Sequence, residues 1–292
     1  MKLSLVIPSR SLDDPKLKEL LASIETQDFP KDEMEVLVIT EGTSESAKAI
    51  GIRRAKGEVI GILASDNELV NTFALRQLYD VAQEHGAAQP IMYSHIKSDD
   101  ILNRYFALIG GNDPLSFYMQ KNDKVSYGYS KHNAWYETTV GDNGYFVKKS
   151  LIELTDLNNY FHIDNAVETD SCPRILNFTI WHKTGGNIFH FFAKRYRYGL
   201  QHAFNPNRRW HLVDFSKPKD IARLIWFIVA TLTVIQPLSL SIRGWLKIRD
   251  VAWFLHYPVC VMTLGTYTIL VIHHLLRRIF PSSSAPMDVQ TA

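Results

Sequence analysis

The chain has 292 residues, 46% of them hydrophobic and 21% charged, with 32 Lys and Arg against 30 Asp and Glu. A net charge of +2 argues against bulk nucleic-acid binding, and the apolar share argues against a disordered chain. The only two cysteines, Cys172 and Cys260, lie far apart, which argues against a zinc ribbon or a disulfide scaffold. Leu3 to Ile7 reads as a strand ended by Pro8 and Ser9. Leu17, Leu20, Leu21 and Ile24 share one face of a helix over Asp14 to Gln27, with Asp13 or Asp14 as cap and Pro15 just inside. Glu35 to Ile39 is a second strand, Ser44 to Ala55 a helix stopped by Gly57, and Val59 to Ala64 a third strand, apolar throughout as a buried parallel strand should be. A polar loop, Ser65 to Glu68, and a helix from about Asn71 to His85 follow. This alternation predicts a parallel sheet covered on both faces, with ligands at the carboxyl ends of its strands.

Residues 100 to 180 have weak periodicity and read as a mixed sheet extension with long loops. Asn187 to Phe204 interleaves Phe and Tyr with Lys and Arg, a pattern suited to a helix in the headgroup plane. Two stretches then lack Asp, Glu, Lys and Arg: Leu224 to Ile242 and Val251 to Leu276. As a helix the first reaches about 28 Å, close to a hydrocarbon core of about 30 Å, so a transmembrane hairpin is predicted. Pro237 and Pro258 are candidate kink or re-entry points. Basic residues before the first stretch (Lys217, Lys219, Arg223) and after the second (Arg277, Arg278) favour both hairpin ends in the cytoplasm. Met1 to Ile7 is too short for a signal peptide, which places the front of the chain there too. The tail from Pro281 is Ser- and Pro-rich and is expected to be disordered.

Candidate chemistry clusters after the strands. Asp66, Asn67 and Glu68 suit a hard divalent cation, or merely cap the next helix. Glu41 can accept from a nucleobase or ribose, while Arg10 and Lys48 can face a diphosphate; a solvated turn or surface is the plainer fate of each. Gly141-Asp142-Asn143-Gly144 is a tight turn that fits under a sugar or closes a hairpin. Asp164, Glu168 and Asp170 are three candidates for a general base. His182 is a structural residue or a metal ligand. Lys194, Arg195 and Arg197 form a basic patch for a membrane surface or a diphosphate.

The order of these segments resembles the family 2 glycosyltransferases, whose fold is GT-A, over roughly residues 1 to 205. Leu5-Val6-Ile7-Pro8-Ser9 resembles the family's opening strand, Leu20 to Gln27 its next helix, and Ala47 to Glu58 the segment before its metal-binding strand. Ser65-Asp66-Asn67-Glu68 stands where the family has D-x-D, and Gly141 to Lys149 where it has the acceptor-side segment. His162-Ile163-Asp164 stands at its E-D pair, with Ile163 replacing Glu. Glu41-Gly42-Thr43-Ser44 replaces D-D-G-S, Trp181-His182 matches a later His, and Lys194 to Gly199 matches the basic stretch before the membrane helices.

The resemblance implies an α/β, Rossmann-like GT-A domain over 1–186 and an interfacial amphipathic segment over 187–218. Two transmembrane helices (about 221–242 and 251–276) within 219–280 and a disordered tail over 281–292 complete the chain. It implies donor contact by Pro8, Ser9, Arg10, Glu41, Lys48, Ser65, Asp66 and Asn67, and acceptor contact by Asp142, Asn143 and Gly144. It further implies Mg²⁺ or Mn²⁺ held by Asp66, Glu68 and His182, a diphosphate clamp of Lys194, Arg195 and Arg197, and Asp164 as base ahead of Asp170. The expected activity is inverting transfer from a nucleotide-diphosphate sugar to a lipid-linked acceptor, a polyprenyl phosphate or a glycolipid. The expected location is the cytoplasmic face of a cell membrane, with no nucleic-acid partner and a homo-oligomer among the open oligomeric states. Nucleotidyl transfer on the same fold and a non-catalytic membrane scaffold are the alternatives.

Overall fold

The structure is a computed structural model that describes residues 1–91, 100–109, 113–119, 126–127, 144–152, 174–183, 187–202 and 213–280. The chain divides into two compact units, Met1–His95 with Lys121–Lys183, and Ile96–Gln120 with Thr184–Ala292.

The first unit opens with β1 (Leu3–Pro8), α1 (Pro15–Glu25), β2 (Met34–Ile39), α2 (Ser44–Arg54) and β3 (Val59–Ile62). It continues with β4 (Asn67–Leu69), α3 (Ala74–His85), β5 (Ala87–Ile91), β6 (Ser126–Tyr127), β7 (Tyr145–Lys148) and β8 (Arg174–His182). The main path of the sheet runs β2-β1-β3-β7-β5-β8-β4, with β6 beside β8. β2, β1 and β3 are parallel, as the strand–helix alternation predicts, and β7 joins β3 antiparallel to begin the mixed extension.

The two-residue period of the central strands sorts their side chains between two cores. Leu3, Leu5 and Ile7 of β1 meet Leu17 and Leu20 of α1 and Leu75 and Leu78 of α3 on one face. Val6 meets Ala49 and Ile52 of α2 on the other, with Ile60, Ile62 and Val147. Burial on both faces explains why β3 reads as continuously apolar. α1 starts where Asp14 accepts from the Lys16 N–H, with Pro15 in its first turn. Gly51 lets α2 approach the sheet, since a Cβ there would stand 2.3 Å from Val6 Cγ1.

The second unit is helical: α4 (Ile101–Ile109), α5 (Pro114–Met119), α6 (Ile188–His202), α7 (Pro218–Thr233), α8 (Ile235–Lys247) and α9 (His256–Ile279). The helices at 101–119 replace sheet or loop expected there. Val251–Ile279, a 3-10 turn running into α9, is long and apolar enough to cross a membrane. The first apolar stretch, expected to span with Pro237 as a candidate kink or re-entry point, is not one continuous helix. It breaks at Val234, and α7 and α8 are bent by 84°. Val234 has φ 67°, a costly conformation for a β-branched residue. The break precedes Pro237, which lies in the first turn of α8, where its missing N–H leaves no helical bond unmade. The unit buries polar side chains and exposes apolar ones. Asp113, Asp220, Asp250 and His256 are inside, while Trp226, Leu232 and Ile235 are outside.

Candidate active site

Parallel pairing of β2, β1 and β3 brings the carboxyl ends of all three to one edge, so Ser9, Glu41 and Asp66 follow them along a single rim. The Ser9 N–H donates to the Ile39 carbonyl at 2.9 Å, and the Leu63 N–H to the Val6 carbonyl at 3.1 Å, which carries the ladder to that rim. Gly144 joins it, its N–H donating to the Ile62 carbonyl at 2.9 Å. Its φ of 76° favours glycine, and a Cβ would stand 2.4 Å from Ile180 Cδ1. Its neighbours Asp142 and Asn143 lie outside the described residues, as do Asp164, Glu168 and Asp170.

The far end of the rim is set by a short antiparallel pairing in which Asn67 opposes His182 and Glu68 opposes Trp181. The Lys183 N–H donates to the Asp66 carbonyl at 2.9 Å. His182 Nε2 then stands 3.2 Å from Asp66 Oδ1, with both side chains largely buried at 6% and 17% exposure. Asn67 Oδ1 accepts from the Ala64 N–H at 2.9 Å and closes the turn that presents Asp66. Asn67 Nδ2 and Trp181 Nε1 are buried with no hydrogen-bond partner among the described residues. Both are donors, suited to an anionic oxygen or water.

Glu68 is drawn another way. Lys183 lies diagonally across the pairing from it, the geometry in which long side chains of neighbouring strands meet. Lys183 Nζ stands 2.7 Å from Glu68 Oε2 and 2.6 Å from Glu19 Oε2 of α1. Burial pulls the Lys183 ammonium down, but its bonds to Glu19 and Glu68 outweigh that and hold its pKa above the ordinary value. Lys16 Nζ donates to the Lys183 carbonyl at 2.5 Å, tying α1 to the same corner.

Among the described residues no group of three or more His, Cys, Asp or Glu stands together as a metal site. Asp66 and His182 do suit a divalent ion as a pair. Donors at adjacent corners of an octahedron of about 2.1 Å radius stand about 3.0 Å apart, close to the 3.2 Å observed.

The remaining candidates have varied surroundings. Pro8 and Ser9 are half-buried and Arg10 exposed beyond β1; Ser65 is half-buried. Glu41, before the start of α2, pairs with Arg54, the last residue of that helix, at 3.3 Å, with both side chains exposed. Lys48 is only 3% exposed, one helical turn after the equally buried Glu45. Lys194, Arg195 and Arg197 belong to α6 in the second unit. There Arg195 pairs with Asp113 at 3.3 Å and lies over Phe191, while Lys194 and Arg197 are exposed. Sequence reading missed the Glu19–Lys183–Glu68 cluster, because Glu19 and Lys183 are 164 positions apart and nothing local marks them as partners.

No known protein family matches the chain, and no curated protein does. Solved structures give low-scoring likenesses. Residues 1–349 of S. aureus TarS match at 15% identity over 94% of this chain and 91% of that one, TM-score 0.44. Its complex with UDP-GlcNAc matches at 16% identity over 94% and 92%, TM-score 0.43. The mannosyltransferase PcManGT from Pyrobaculum calidifontis, in complex with GDP-Man and Mn²⁺, matches at 15% identity over 96% and 81%, TM-score 0.45.

Proposed function

We propose that the chain is a membrane-associated glycosyltransferase that binds a nucleotide-diphosphate sugar along the β2-β1-β3 rim. The observation that carries this reading is the Asp66–His182 pair, a carboxylate and an imidazole 3.2 Å apart just beyond the end of β3. It stands where the sequence resembles D-x-D and the later His of the family. In this reading Ser9, Arg10 and Glu41 contact the nucleotide, and Gly144 with Asp142 and Asn143 lines the sugar and acceptor side. Asp66 and His182 hold Mg²⁺ or Mn²⁺, which when bound offsets charge on the diphosphate. Glu68, occupied by Lys183, stands outside that ligand set. Asn67 and Trp181 offer further donors to donor oxygens. Asp164, with Asp170 as the alternative, takes the proton of the acceptor hydroxyl, and one displacement inverts the anomeric centre. The apolar exterior of the second unit favours a lipid-linked acceptor at the cytoplasmic membrane face, and Lys194, Arg195 and Arg197 serve its anionic groups.

The test is release of nucleotide from a panel of nucleotide sugars, with Mn²⁺ or Mg²⁺ and native lipid, by the full chain in mild detergent. The expected result is release from one donor that Asp66→Ala abolishes, with labelled sugar recovered in lipid. Metal-dependent donor binding unchanged in Asp66→Ala removes Asp66 from the site. No release and no metal-dependent binding of any donor overturns the reading and favours the scaffold.

A further inference from the structure

α9 has two unlike sides along its whole length. Polar partners from other helices of the second unit follow one side. His256 Nδ1 meets the Tyr105 hydroxyl of α4 at 2.9 Å, and the ring of Tyr118 of α5 stacks on it. Eleven residues on, the Tyr267 hydroxyl donates to the Asp113 carboxylate, which is ion-paired with Arg195 of α6. His273 Nδ1 meets the Tyr196 hydroxyl of α6 at 2.7 Å, and Gly199 allows Leu270 close against the same helix. From His256 to His273 is about 25 Å of helix, so α4, α5 and α6 line nearly the full height of a hydrocarbon core. The other side is exposed and apolar at Val261, Ile269, Ile272, Leu275 and Ile279.

A crossing orientation conflicts with this arrangement. The midpoint of the apolar stretch falls at Gly265, and α6 packs on the half beyond it, against Leu270 and His273, with Lys194 and Arg197 exposed. Were α9 upright, α6 and those two cations would sit about 8–12 Å from the midplane, still at hydrocarbon depth, where charge is costly. Laid flat, α9 keeps its apolar side in lipid and α6 keeps its cations at the headgroups. α7 and α8 extend the apolar surface. Their bend leaves Leu232 and Ile235 at the apex, 70% and 76% exposed, while Lys219 and Lys247 mark the two ends.

We propose that the second unit is monotopic: α7, α8 and α9 lie in one leaflet of an anionic bilayer, and none of them crosses it. The basic ends at Lys219, Arg243, Lys247, Arg277 and Arg278 then all face one headgroup layer, which matches their charge. This deepens the membrane association proposed above, but it stands on the second unit alone and holds or fails independently of any transferase activity.

The test uses the full chain carrying Cys172→Ser, which leaves only the buried Cys260. Single cysteines replace Lys219, Lys247 or Arg278 in turn, and membranes of expressing cells are prepared as sealed inside-out and right-side-out vesicles. A membrane-impermeant maleimide is expected to label all three positions in inside-out vesicles and none in right-side-out ones, with the parent chain as blank. Labelling of Lys247→Cys or Arg278→Cys in right-side-out vesicles means a crossing and overturns the proposal. Recovery of the unmodified chain in the soluble fraction, without flotation on phosphatidylcholine–phosphatidylglycerol vesicles, also overturns it and assigns the apolar surface to a second copy or another protein.

Discussion

Lys183 is ion-paired with Glu68, two residues after Asp66, and with Glu19 of α1. Its two ion pairs are partly exposed, so removing them should cost stability modestly, about 1 kcal/mol or less. Its larger effect is on Glu68, which it holds at 2.7 Å. Lys183→Met leaves Glu68 without a counter-ion, two residues from Asp66. Mn²⁺ binding without donor is then expected to tighten by about fivefold as a second carboxylate joins the ligands. Adding Glu68→Gln should reverse the gain, read from loss of the free Mn²⁺ signal in electron paramagnetic resonance. Unchanged or weaker binding would show that Lys183 only props the corner. The placement of Asp66 at this rim was legible, because an apolar run that ends in Ser-Asp-Asn-Glu marks a strand's carboxyl end. Lys183 was not, since its partners come from α1 and β4 and depend on a strand pairing that no local pattern announces.

At the level of elements, the start of α7 is built from side chains just outside it. The Ser216 hydroxyl and N–H both donate to Asp214 Oδ1, at 2.6 and 3.0 Å, and Lys217 Nζ stands 3.3 Å from Oδ2. These contacts, the Ser216 hydroxyl first, lower the Asp214 carboxyl from 3.8 to about 2. A depressed carboxyl stabilises the fold above its unfolded pKa and loses that contribution as pH falls through the folded one, here between 3.8 and about 2. Ser216→Ala should move the Asp214 midpoint up towards 3.8, read by carboxyl carbon NMR in detergent, and so shrink the acid loss and narrow its pH window. An unmoved midpoint would show that the hydroxyl is not the cause. The helices at 101–119 illustrate a different limit of sequence reading. Leu102, Tyr105, Phe106 and Ile109 repeat at helical spacing and are all buried, so α4 was legible in principle. Its length of 9 residues and the Gly- and Asn-rich sequence after it masked the signal. The bend at Val234 had weaker notice, because hydropathy reports how apolar a stretch is and not whether one helix carries it.

For the molecule as a whole, the division into units does not follow a single cut in the chain. Ile96–Gln120 leaves the first unit between β5 and β6 and belongs with the C-terminal helices. The sequence alone suggested a boundary near 186, because a continuous domain followed by an appendage is the simplest reading of a compositional change. The packing of α5 argues otherwise. Tyr118 donates to Gln236 Oε1 of α8 at 2.5 Å and packs on Phe227 of α7, and Leu115 and Met119 share their cluster with Cys260 of α9. Arg223 of α7 donates to the Met119 carbonyl at 2.6 Å. A chain ending at residue 186 would therefore keep α4 and α5 and lose the helices α7, α8 and α9 that pack on α5. Leu102, Phe106, Leu115, Tyr118 and Met119 would face water, each with an apolar area worth about 1.5–3 kcal/mol to bury. Such a fragment is expected to elute as aggregate in size-exclusion chromatography. The same fragment with 96–120 replaced by a Gly/Ser linker should elute as a monomer, because the sheet keeps both of its own cores. A monomeric 1–186 fragment with a native far-UV spectrum would show instead that α4 and α5 fold back on the first unit and that the insertion is not committed to the helical one.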